Sequence, residues 1–181
     1  MNASERLARG RATTGEAVEL FDSMEPVDID FMIGNWKGEG FQTGHTMDGL
    51  LEAYHWHGKR FDSSEDVHPL VFLTRGGRLA CVNPALVGWA LIWGKRFPLP
   101  RSAALGWLFQ LFMPLFTTAQ SRARLRMTTH RGKSTATMVY DQLPIMDAFR
   151  KIDDEAVFCV MDLKGMKKPF FFILRRAAAS L

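Results

Sequence analysis

The stretch "YDQLPIMDAFRK", residues 140 to 151, gathers a phenol, two carboxylates and a guanidinium within one short run of chain. Asp147 and Arg150 stand three apart, so a turn of helix would bring them to one face, where they would pair. Such a pair either closes one end of an apolar core or leaves Arg150 free to take a carboxylate or phosphate bidentately. A second set is "YHWHG", where His55 and His57 alternate as on one side of a strand, with His45 across a predicted hairpin. Zinc needs three or four ligands of fixed geometry, and no cysteine or carboxylate at familiar spacing completes this set. Surface or partly buried strand histidines are therefore the expectation, and no metal site. Cys81 and Cys159 form no CxxC pair, have no activating neighbour in sequence, and read as small core residues of a reducing compartment. No GxSxG element is present. Binding is thus favoured over catalysis.

The third candidate set is electrostatic. Between Asp66 and Asp141 there is no acidic residue, while ten arginines and lysines fall in that interval. The rest of the chain carries thirteen basic against nineteen acidic residues, so a net charge of +4 conceals a strongly basic middle. Arg122, Arg124 and Arg126 alternate with Ala123, Leu125 and Met127, which makes an arginine stripe along one face of a strand. A solvated outer face accounts for that stripe. Yet it follows directly on "LGWLFQLFMPLF", and Arg96, Arg101 and Trp107 belong to the same neighbourhood. Basic residues bordering an apolar, tryptophan-bearing helix suit an anionic lipid headgroup or bilayer surface. Nucleic acid is not the expected partner, because the aromatic residues are segregated from the arginines rather than interleaved as stacking platforms.

The elements that must position these groups are mostly strands. With 181 residues and 47% hydrophobic composition, one domain spanning 1–181 is expected. Thr13 and Glu16 form a capping-box pattern, which predicts a helix over 14–23, ended before Pro26. Strand-like runs follow over 31–83 and again over 120–176: "NWKGEGFQTGH", a turn at "TMDG", "LLEAYHWHGKRF", "PLVFLT", "RLACV", "SRARLRMTTH", "TATMVY", "AVFCVMDL" and "PFFFILRR". Their tight connections predict an antiparallel up-and-down sheet. Two segments interrupt it. Residues 84–119 predict apolar helices, with Pro84 in a first turn and Ser102 as an N-cap; they would serve as lid, membrane anchor or dimer interface. Residues 143–154 predict a short helical turn. No apolar stretch reaches the roughly 20 residues needed to span a bilayer, and the N-terminus lacks an apolar signal, so a cytoplasmic protein is expected.

"FMIGNWKGEGF" places Gly34, Gly38 and Gly40 on the same strand face as Trp36. The missing side chains leave room for a large ring, for close backbone approach in barrel closure, or for a ligand. "GNWKGEG" matches the motif after which the GXWXG domain family is named. "YDQLPIMDAFRKIDDEAVFCVMD", with "FFFILRR" after it, resembles the domain of unknown function that accompanies it. The opening strand is also similar to those of lipocalin-like and fatty-acid-binding-protein-like barrels, including haem-binding nitrobindins. The resemblance implies a mainly β, lipocalin-like barrel with an N-terminal helix and an apolar insertion, enclosing a hydrophobic cavity. The family pattern carries a histidine after the aspartate of "PIMDAFR"; this chain has Ala148, so a base or metal ligand at that place is not expected.

Together these readings predict binding of a small hydrophobic ligand, a fatty acid or phospholipid, lined by Trp36, Gly38, Gly40, Tyr54, Trp56, Tyr140, Asp147 and Arg150. Arg96, Arg101, Trp107, Arg122, Arg124 and Arg126 would meet headgroups. Haem bound through one of the histidines, or an enzyme using the same cavity, is the alternative.

Overall fold

The computed structural model describes residues 3–88 and 102–177. A first helix, α1 (Ala3–Arg9), precedes α2 (Thr14–Ser23), the helix predicted from its capping box. Thr13 accepts from the Glu16 N–H, while Glu16 accepts from the Thr13 N–H, so two otherwise orphaned donors are satisfied reciprocally. Replacing Thr13 by alanine is expected to lower stability by about 1 kcal/mol, read as a shifted urea midpoint with an unchanged slope. After α2 come a two-residue strand β1 (Glu25–Pro26), a helical turn α3 (Ile29–Met32) and β2 (Gly34–Gly40).

The next run departs from expectation. "LLEA" is a short helix, α4 (Leu50–Ala53), and β3 (Trp56–Phe61) starts only at Trp56. His55 lies in the intervening turn with φ of 59°, a left-handed backbone. It therefore does not share a strand face with His57. The hairpin of β4 (Val67–Leu73) and β5 (Leu79–Cys81) forms as its turn residues suggest. A helix begins at Pro84. Ser102 then caps α5 (Ala103–Phe112), its hydroxyl accepting from the Leu105 N–H, and a 3-10 turn, Met113–Phe116, completes this segment.

The remaining strands are β6 (Ala123–His130), β7 (Lys133–Tyr140), β8 (Ile145–Asp153), β9 (Ala156–Leu163) and β10 (Phe170–Ala177). Arg131 and Gly132 both take positive φ in the β6–β7 turn, the conformation that matches hairpin twist. The predicted helical turn over 143–154 is instead β8, paired to β7 on one side and β9 on the other.

Strands β2, β3, β4, β6, β7, β8, β9 and β10 close into an antiparallel ring, with β10 returning to β2. The β4–β6 seam is narrow, made by the single pair Val67 and Ala123. Side chains from all eight strands fill the ring, among them Trp36, Phe61, Leu70, Leu125, Met138, Phe149, Cys159 and Phe172. A second apolar layer lies outside it. There Ala17, Leu20 and Phe21 of α2, with Met24 just after it, cover Ala148, Phe158, Val160, Phe171 and Ile173.

Candidate functional site

Inside the ring, among the described residues, sits a buried ion pair. Lys59 Nζ lies 2.9 Å from Asp147 Oδ2, and the two side chains are 3% and 1% exposed. The ammonium also donates to the Pro69 carbonyl at 3.2 Å. Three rings surround it, with centroids 5.6 Å away at Trp56, 5.7 Å at Tyr140 and 5.2 Å at Phe172. Burial raises the Asp147 carboxyl above the usual carboxylate range, and Lys59 pulls it part of the way back. The Tyr140 phenol is pushed well up by the same burial and by the neighbouring carboxylate. Two polar atoms here have no hydrogen-bond partner: Asp147 Oδ1 and Trp56 Nε1.

Of the residues named from the sequence, Trp56, Tyr140 and Asp147 thus converge. Lys59, which holds them together, was not among them. Strict alternation along β3 would put Lys59 on the face opposite Trp56. Two register shifts, between Trp56 and Gly58 and between Gly58 and Arg60, break the alternation, so Trp56, Lys59 and Phe61 are all buried. Gly58 permits this with φ of 151°, and a methyl there would overlap the Trp36 carbonyl oxygen. A glycine inside a strand run was the one available signal.

Arg150 does not join the site. On a strand, residues three apart point to opposite faces, so Asp147 enters the ring while Arg150 leaves it. The Arg150 guanidinium is fully buried under α2, 4.7 Å from the Phe21 ring, and donates to the His130 carbonyl at 2.9 Å. Ala148 also faces outward beneath α2, so a histidine there would not reach the interior.

The glycines of β2 serve packing. A methyl on Gly38 would overlap the Trp56 indole, and Gly40 donates its N–H to the Glu52 carboxylate at 2.9 Å. Trp36 plugs the opposite end: its indole N–H donates to the Met32 carbonyl at 2.8 Å, and the Arg176 guanidinium stacks 4.4 Å from its ring. Tyr54 stands at the Trp56 end beneath α5, edge-on to Phe109, which also meets Phe72.

The histidines do not converge. His57 lines a groove of about 580 Å³ with Arg60, Val71 and Cys81, which Trp36 and Lys59 also border. His45 is buried against Phe170, its Nδ1 accepting from the Met47 N–H and its ring also bonded to the Lys168 backbone. Among the described residues no group of three histidines, cysteines or carboxylates is placed to hold a metal. These positions offer no imidazole as an axial haem ligand within the ring, so the residues do not fit that group.

The arginine stripe lies on the outer face of β6. Arg124 pairs with Asp141 at 2.9 Å and Arg126 with Glu65 at 2.8 Å, so loop acids answer two of the three charges. Arg122 is half-buried. Arg96 and Arg101 lie outside the described residues. Among the described residues no helix is long and apolar enough to cross a membrane.

Comparison with known proteins fits this geometry. The model of the GXWXG protein family matches residues 19–77, and that of a domain of unknown function (DUF4334) matches residues 121–176. A crystal structure of a protein from Thermomonospora curvata is 30% identical over 98% of this chain and all of that one, with a TM-score of 0.70. The chain belongs to the GXWXG family. No curated protein matches it. In this GXWXG chain the naming tryptophan is the plug of the ring, and its second and third glycines seat Trp56 and Glu52. The ion pair joins the two matched regions, Lys59 coming from the first and Asp147 from the second.

Proposed function

We propose that the barrel, by displacing part of the side-chain packing that fills it, binds a hydrophobic molecule carrying one hydrogen-bonding end, with that end held by Lys59, Asp147, Trp56 and Tyr140. The observation that carries the reading is the pair of unpartnered atoms, Asp147 Oδ1 and Trp56 Nε1, beside a buried ammonium. Leaving a buried polar group unmade costs about 1–3 kcal/mol. A ligand offering both a donor and an acceptor would recover that cost.

A fatty acid is the anionic form of this ligand. Its carboxylate would take the Lys59 ammonium, and Asp147 would bind it only as the protonated, donating acid. The raised Asp147 pKa favours that exchange. A long-chain alcohol would bind without it. Tyr54, Phe72 and Phe109 under α5 would form the entrance for the chain.

Native mass spectrometry of freshly purified protein reads any retained lipid. Calorimetric titration with oleic acid and with oleyl alcohol, in two buffers of different ionisation enthalpy, then reads the proton. Oleate is expected to bind with uptake of about one proton, and Trp56→Phe to weaken binding roughly tenfold by loss of one donor. Absence of retained lipid, together with flat titrations for both probes, would reject the reading.

A further inference from the structure

Helix α5 has two unlike sides. Its inner side is tied to the ring: Phe109 packs on Tyr54 and Phe72, the Gln110 amide donates to the Leu73 carbonyl at 3.0 Å, and Met113 is buried. A methyl on Gly106 would overlap the Ala53 carbonyl oxygen, so helix and α4 are in close contact there. The outer side shows Trp107 at 51% exposure, Leu108, Leu111 and Phe112 at 42–49%, and Leu115 of the following turn at 72%. These recur at helical spacing as one stripe. From Ser102 through Ser121 no side chain carries a charge. The uncharged outer stripe is not what a solvated helix presents.

Its edge is cationic. The Arg75 guanidinium lies 5.1 Å from the Trp107 ring, and Arg78 follows in the same β4–β5 turn. The sequence holds no acid from residue 67 to residue 140, and among the described residues neither Arg75 nor Arg78 makes an ion pair. A second copy seated by two-fold symmetry would set these arginines against their own equivalents, with no carboxylate from the same segment between them. A bilayer containing anionic lipid meets both halves of the pattern: acyl chains for the stripe, headgroups for the arginines.

We infer that the outer face of α5 is a docking surface for anionic bilayers, with the helix lying in the interface plane. At ten residues it is far too short to span one. The docking does not depend on what the ring holds, so it stands or falls apart from the ligand reading.

The full-length protein is mixed at low salt with phosphatidylcholine vesicles, with and without phosphatidylglycerol, and bound protein is separated by flotation. Binding to the mixed vesicles, far weaker to the neutral ones and reduced by salt, is the expected result. Leu108→Ser with Leu111→Ser is expected to weaken it at least tenfold. Arg75→Gln should weaken it about fivefold. Both variants should keep the wild-type melting temperature. Wild-type protein that ignores mixed vesicles at low salt overturns the inference, as does equal binding to neutral ones. A wild-type dimer that Leu108→Ser with Leu111→Ser converts to monomer would assign the face to a second copy and also overturn it.

Discussion

Replacing Lys59 by methionine is expected to lower the unfolding free energy by about 3–5 kcal/mol at neutral pH. The loss comes less from the attraction removed than from the charge left behind. Asp147 would be left among aromatic and aliphatic side chains without the ammonium 2.9 Å away, and would either stay ionised there or take up a proton at a cost at neutral pH. Exchanging both partners, Lys59→Met with Asp147→Leu, should recover most of that loss, because no uncompensated charge remains. The pH dependence has a definite sign. Burial already raises the Asp147 pKa, and Lys59 is what lowers it, so removing Lys59 raises it further. A carboxyl that binds its proton more tightly when folded loses stability as pH rises above its unfolded value, about 4 for an aspartate. The gap between wild type and Lys59→Met should therefore narrow on acidification from pH 7 towards pH 4. Urea denaturation of the three proteins across that range measures it. A constant gap would mean that Asp147 is not the group left in difficulty.

Gly58→Ala is expected to cost about 2–5 kcal/mol, the largest effect of any single methyl in the ring. Two causes act together: φ of 151° is open only to glycine, and the added carbon would meet the Trp36 backbone. Neither can be relieved by turning a side chain. Gly38→Ala makes a contrast, since there the obstacle is the Trp56 indole, which can swing aside at about 1–3 kcal/mol. In a Trp56→Phe background the Gly38 substitution should become milder, whereas the Gly58 substitution should not. Equal rescue of both would show that the register shift at Gly58 is not what holds Lys59 inside. Thermal unfolding of the five single and double variants reads all of this.

The contrast between these two glycines also marks what can be seen in the sequence. Strands β6, β7, β9 and β10 were legible because their turns and apolar runs are local signals. So was α2, whose cap is written in Thr13 and Glu16. Strand β8 was not. It is covered by the ring interior on one side and by α2 on the other, so Ala148, Phe149 and Arg150 are all buried and the two-residue period vanishes. What remained was an aspartate and an arginine three apart, which imitates a helix. The same cause separated Asp147 from Arg150 in space. Lys59 was missed because a bulge is a property of pairing between strands, and β3 gives only Gly58 as a hint. Trp56, Tyr140 and Asp147 were found by residue type, ahead of the geometry that unites them.

The outer layer formed by α2 ties the chain together in a way its linear order conceals. That helix and β1 precede the GXWXG strand, yet they clasp β8, β9 and β10 at the far end of the chain, through Phe21 against Phe158 and Phe171 and through Glu25 opposite Lys151. Arg131 adds a two-pronged bond to Asp22, with both distances 2.7 Å. A cut between the two family regions would therefore strip the later strands of their cover as well as divide the ring. What reads as two consecutive modules is a single interlocked body, and its beginning fastens its end.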